Sequence, residues 1–213
     1  GESAPTGAHG AAGVEVIETG LGEYIVQLAK EPPSHIIAPG IRKGRDEMSD
    51  MFTDKHQLPR KTDICELTLE ARQMLRKHFL TADMGISGAN FIVAETGTTL
   101  IVTNEGNGRM TTTLPRVHVA ITGIEKVVPT LEDVSTRLRL LPRSATGQTI
   151  SNYISFTTGI KDGAQKANAL HADGAHTSSA QSADAQDAFG AEHFHIILLD
   201  AGRTKLIGTD MQE

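Results

Sequence analysis

The chain has 213 residues, enough for one domain with a real core or for one domain plus appendages. Hydrophobic residues make up 38% and aromatics only 4%, with no Trp, so the core has to be aliphatic, built from Val, Ile, Leu and Ala. A net charge of −6 argues against a general nucleic-acid binder, which draws its main affinity from clustered Lys and Arg. No apolar run approaches the roughly 20 residues needed to span a bilayer. The opening GESAPTGAHG lacks the basic and apolar regions of a signal peptide, so the expected setting is cytoplasmic.

Residues 1–12 are small, polar and Gly/Ala-rich, and read as a disordered lead-in or a cloning remnant. Val14–Ile17 reads as a short strand and Leu21–Ala29 as a short helix. Residues 31–39 form a loop bracketed by prolines, which remove backbone donors and fix φ. Gly44 to Leu58, with Met48, Met51 and Phe52, is a second helix candidate. The clearest helix runs from Ile64 to Phe79, where Ile64, Leu67, Ala71, Met74, Leu75 and Phe79 recur at a period near 3.6. Asp63 followed by Glu66 marks its start. Cys65, inside this helix, is the single cysteine, so it forms no internal disulfide; a small buried hydrophobe is the expected role.

From Ala82 to Ile121 the pattern changes to sheet with glycine turns. Phe91–Ala94 and Thr98–Thr103 are β-rich runs separated by Glu95-Thr96-Gly97, and a second turn covers Asn104–Gly108. Val117–Ile121 is another strand, Leu131–Leu141 a helix stopped by Pro142, and Ile150–Thr157 an alternating, half-buried strand. Residues 161–192 are Ala/Ser/Gly/Asp-rich with little to bury, as expected of a flexible polar insertion. Phe194–Leu199 resumes as a strand, and Asp200-Ala201-Gly202 turns it towards Lys205–Ile207. Strands alternating with helices predict an α/β layered fold with antiparallel hairpins at one end, a single domain over residues 13–209.

The polar cluster at residues 94–109 carries the most chemistry. Two glycine turns flanking a short strand expose backbone N–H groups that suit an anion. Thr96, Gly97, Thr98, Asn104, Glu105, Gly106 and Asn107 are the candidate ligand-binding residues, with Arg109 offering a bidentate fork to a carboxylate or phosphate. Glu95 is the candidate catalytic residue, as base or nucleophile. Hairpin turns whose glycines merely supply φ > 0 explain the same pattern. The spacing matches neither a Walker phosphate loop nor a dinucleotide fingerprint.

Other candidates are sparser. Asp83, Ser87 and Asn90 surround a strand end, where open α/β sheets bind ligands. Glu125 and Lys126 follow another strand and read equally as a surface ion pair. Arg143, Ser144, Thr146 and Gln148 fall in a loop able to donate hydrogen bonds. His35 sits in a rigid loop beside an apolar run and is a further candidate ligand-binding residue. His193 and His195 share one strand face, but no metal site is expected.

Four blocks, GLGEYIVQLAKEPPSHIIAP, GANFIVAETGTTLIVTNEGNGR, GIEKVVPTLEDVSTRLRLLPRSATGQ and FHIILLDAGRTKLIG, resemble the lactate-utilisation protein B family, which contains the LUD domain. The resemblance covers nearly all of residues 14–209 apart from 161–192. It implies participation in bacterial oxidation of L-lactate to pyruvate, alongside two partner proteins. It implies a fold similar to the sugar-phosphate isomerase and CoA-transferase superfamily, with a Rossmann-like sheet, here incomplete at the N-terminus. It also implies a following ferredoxin-like region with two 4Fe-4S clusters, whose cysteines this sequence does not reach; no cofactor is expected in the residues present. Three roles are open: a domain binding a small anionic metabolite or the partner subunits, an isomerase- or CoA-transferase-like enzyme using Glu95, or a scaffold for the iron–sulfur region.

Overall fold

The computed structural model describes residues 13–34, 40, 42–103, 105–151, 153–160 and 190–206. The expected lead-in at 1–12, His35, Asn104, residues 161–189 of the polar insertion, and Ile207 lie outside the described residues. The chain divides into two compact units, Gly1–Thr81 and Ala82–Glu213. The α/β class expected from the alternation of elements is the class observed.

The first unit is helical: α1 Leu21–Ala29, α2 Arg45–His56 and α3 Ile64–Thr81. Residues 14–19 carry no regular structure, in place of the expected strand. Gln27 on α1 accounts for this. Its amide nitrogen donates to the Val16 carbonyl and its amide oxygen accepts from the Glu18 N–H, so the segment is tied to a helix instead of a sheet. On α3 the buried positions are Leu67, Glu70, Ala71, Leu75 and Phe79, and Asp63 accepts from the Glu66 N–H at 3.1 Å. Cys65 is exposed, contrary to expectation. It lies two residues before Leu67, which turns it to the far side of the helix.

Glu70 is the departure from the apolar stripe. It is 2% exposed, yet accepts from Lys61 Nζ at 2.8 Å and pairs with His56 Nδ1 at 2.7 Å. The other His56 nitrogen meets the Tyr24 hydroxyl at 3.0 Å. Burial pushes the Glu70 carboxyl up, but the hydrogen bonds and charges of Lys61 and His56 outweigh it and hold the group below the ordinary carboxylate range. The chain Tyr24–His56–Glu70–Lys61 thereby fastens all three helices through a closed polar core.

The second unit contains two sheets. The first holds three parallel strands in the order β1 (Met84–Ser87), β4 (Val117–Gly123), β7 (His193–Leu199). The second has the order β5 (Val127–Val128), β2 (Phe91–Val93), β3 (Thr98–Val102), β6 (Ile154–Thr157), with β2–β3 and β3–β6 antiparallel and β2–β5 parallel. A helix α4, Asn107–Thr113, follows β3, and α5, Leu131–Thr146, follows β5. Val93, Leu100, Val128 and Val134 form an aliphatic core between the second sheet and α5, with Phe91, Val102, Leu138 and Ile154 around it.

Several expected boundaries move. The supposed turn at 104–108 gives way to α4 from Asn107, entered through Gly106 at φ 80°. The loop expected at Arg143–Gln148 is instead the end of α5, which runs through Pro142 to Thr146. Proline inside a helix forfeits one backbone bond, and here the final turn is closed by Gly147, φ 72°, whose N–H donates to Arg143 O at 3.1 Å. The strand expected from Ile150 begins only at Ile154. Beyond the turn at Asp200-Ala201-Gly202, Arg203–Leu206 is a 3₁₀ turn capped by Asp200.

Candidate functional site

The crossover from β1 to β4 positions everything that follows. Two parallel neighbours need a connection that returns the chain to the starting edge, normally a helix. Here that connection is the β2–β3 hairpin followed by α4. Asn90 Oδ1 accepts from the Val102 N–H at 2.8 Å, so β3 ends beside the segment leaving β1. Gly108 then packs against Ile101 and Thr103, while Thr111 packs on Gly85. Helix α4 therefore runs from the carboxyl edge of the parallel sheet back to its amino edge, where Val117 N–H meets Asp83 O at 3.1 Å.

This path separates the residues expected to converge. Glu95, Thr96, Gly97 and Thr98 lie at the hairpin tip, whereas Glu105, Gly106, Asn107 and Arg109 lie at the opposite end of β3, beside the carboxyl edge. At ~3.3 Å per residue the strand alone places about 13 Å between them. Among the described residues the two loops stand at opposite ends of β3 and do not line one hollow. The two glycine turns flank a five-residue strand, and an extended strand holds its ends apart.

At the hairpin tip several polar groups bond within the fold. Glu95 Oε1 accepts from the Leu131 N–H at 3.1 Å, capping the start of α5 alongside Thr130 and Asp133. The hydroxyls of Thr96, Thr98 and Thr158 form a chain with both spacings 2.7 Å, and Gly97, φ 66°, closes the turn onto Val93 O. Glu95 thus serves the helix it faces.

The carboxyl edge differs. Ser87 ends β1 and is half-buried, with its hydroxyl 2.8 Å from His118 Nε2 on β4. His118 is wholly buried and stacks on Phe194 of β7 at 5.0 Å. Burial pushes its imidazole down to about 4, so it is neutral at neutral pH. Arg109 is exposed and Asn107 Oδ1 accepts from the Gly108 N–H at 2.8 Å. Glu125, after β4, is paired with Arg203, after β7, at 2.8 Å; Lys126 is exposed. The partner of Ser87 that the sequence did not announce is His118. It was passed over because one histidine in an alternating strand, VHVAITG, looks like an ordinary inward-facing residue.

Among the described residues no three His, Cys, Asp or Glu side chains converge, and His193 and His195 are both exposed. A 4Fe-4S cluster calls for about four thiolates, and the lone exposed Cys65 does not fit that demand. No helix among the described residues is long and apolar enough to cross a membrane.

A parallel sheet with a helical crossover beside it defines a layered α/β domain. The chain belongs to the LUD domain family, whose profile matches residues 5–199. Over 94% of its length it is 42% identical to a protein named lactate utilization protein B from Shouchella clausii, and over 95% it is 41% identical to the protein of that name from Geobacillus sp. strain WCH70. The chain spans about 38% of the length of these curated relatives. Among solved structures, a DUF162 family protein from Deinococcus radiodurans matches 57% of this chain and 56% of its own, at 15% identity and a TM-score of 0.36.

Proposed function

We propose that the chain is the LUD-domain portion of a longer protein that takes part in oxidising L-lactate to pyruvate, and that it holds a small anionic metabolite at the carboxyl edge of its parallel sheet. The observation that carries this reading is the 42% identity, over 94% of the chain, to a lactate utilization protein. In this proposal the partners are the other lactate-utilisation subunits, the electrons released from lactate pass to 4Fe-4S clusters held elsewhere in the longer protein, and the setting is cytoplasmic. Glu105, Asn107 and Arg109 border the ligand, with Arg109 able to fork onto a carboxylate.

Deleting the gene in its host tests the reading. Growth should fail on L-lactate as sole carbon source, persist on glucose, and return with the full reading frame. Undiminished growth on L-lactate would sink the proposal.

The scaffold reading is favoured at the hairpin tip, where Glu95 is engaged by the Leu131 amide and the threonine hydroxyls satisfy one another. Isomerase- or transferase-like use of Glu95 would require that cap to open.

A further inference from the structure

We propose that Ser87, held by His118, is a ligand-binding hydroxyl that donates to the carboxylate of a small acid at the carboxyl edge of the parallel sheet. The proposal deepens the anion-binding reading above and rests on it.

The argument begins with a proton. The neutral His118 ring carries one N–H, and its two nitrogens stand in unequal surroundings: Nε2 faces the Ser87 hydroxyl, whereas Nδ1 is buried with no partner among the described residues. A proton on Nδ1 would bury an unpaired donor. A proton on Nε2 leaves only an unpaired lone pair, which folded proteins tolerate better. The Nε2–H therefore donates to Ser87 Oγ. Ser87 thus keeps its own O–H proton, and that proton has no acceptor among the described residues.

The neighbourhood supplies donors and withholds acceptors. Three residues after Ser87, Asn90 spends its side-chain oxygen on the Val102 N–H, and its NH₂ group has no partner among the described residues. Arg109, in the first turns of α4, forms no ion pair among the described residues. The carboxylate of Glu125 is already neutralised by Arg203, and the Glu105 side chain lies 3.5 Å from Asn107 Nδ2. A hydroxyl and an amide with protons to give suit an anion's oxygens. Stacking of His118 on Phe194 holds the ring, and through it the serine, in one orientation.

The experiment uses the full-length protein, with calorimetric titration of L-lactate and of pyruvate. Ser87→Ala should weaken binding on the order of 10-fold or more, as loss of a hydrogen bond to a charged group does, in a protein that still folds but melts at a lower temperature because the His118 Nε2–H loses its acceptor. His118→Phe, which keeps the stack, should weaken binding similarly, and the double variant should be little worse than either single one. Independently of any ligand, nitrogen-15 spectra should show His118 protonated at Nε2. Wild-type affinity in Ser87→Ala, a proton found on Nδ1, or no binding of either acid by the wild type would each overturn the proposal. Loss of growth on L-lactate after gene deletion would leave the wider function standing even then.

Discussion

Replacing Gly85 with Ala should destabilise the second unit, against the usual direction of that change. Gly→Ala at a permissive position stabilises by about 0.4–1 kcal/mol, because the unfolded chain has less freedom to lose. Gly85 has no positive φ to protect, so backbone conformation does not stand in the way. Space does. An added Cβ would overlap the Thr111 carbonyl oxygen and come to 3.0 Å from its carbonyl carbon and 3.1 Å from its Cγ2. Two of those three atoms are backbone, so relief requires α4 to withdraw from β1 on the order of 1 Å. Overpacking of this kind costs about 1–3 kcal/mol, enough to outweigh the entropic gain. The net expectation is a loss of about 1–2 kcal/mol in urea denaturation, with the slope unchanged. Because α4 carries Asn107 and Arg109, acid binding should weaken in parallel. A Gly85→Ala protein as stable as the wild type, or more so, would refute the claim that α4 seats on this glycine.

Acid should weaken the second unit through His118. Its folded value, about 4, lies below the unfolded 6.5, so the unfolded chain takes up the proton first as pH falls. The contribution is complete above about pH 6.5 and shrinks towards pH 4, a loss of about 3 kcal/mol that urea midpoints across this range would record; His118→Phe should flatten the profile. Glu70→Gln should lower the stability of the helical unit by about 3 kcal/mol, because Lys61 loses its counter-charge and His56 its carboxylate partner. Hydrogen exchange over α1–α3 measures it, and protection equal to wild type would contradict the network. Glu95→Ala should cost about 0.5–1 kcal/mol by uncapping Leu131, while Glu95→Gln keeps an oxygen acceptor and stays nearly neutral. A Gln variant that abolished growth on L-lactate while melting normally would instead restore Glu95 as a chemical group.

Local signals carried most of the elements. The 3.6-residue stripe of α3, the apolar spacing of Leu131, Val134, Leu138 and Leu141 in α5, and the β-branched runs of β2 and β3 each state their conformation within a few neighbours. Long-range chemistry was harder to read. Nothing near Glu70 in sequence announces that Lys61 and His56 will neutralise it, so a buried carboxylate hides among exposed-looking residues. Gln27 overrides the strand propensity of Val14–Ile17 by a tertiary contact. In the candidate site the residue types around 104–109 were legible, and Ser87 and Asn90 were placed at a strand end. Convergence was misjudged, because periodicity reports which face a residue takes and says little about which end of a strand its loop occupies.

The same distinction separates framework from site within this fold. Glu70, Thr98 and Ser49 are buried polar groups, and each is matched by a specific partner: Lys61 and His56, neighbouring hydroxyls, and the Lys61 carbonyl. Such groups have spent their hydrogen bonds on the structure, and a ligand reaching them would have to displace protein partners of equal strength. At the carboxyl edge the balance is reversed. Ser87, Asn90 and Arg109 each retain donors with no partner among the described residues, while the adjoining Glu125 carboxylate is paired. An excess of donors at a strand end is stable only where water or an anion supplies the acceptors. The hairpin inserted between β1 and α4 makes this possible: it carries the closed, self-satisfied chemistry away to its tip and leaves the open chemistry at the edge of the sheet.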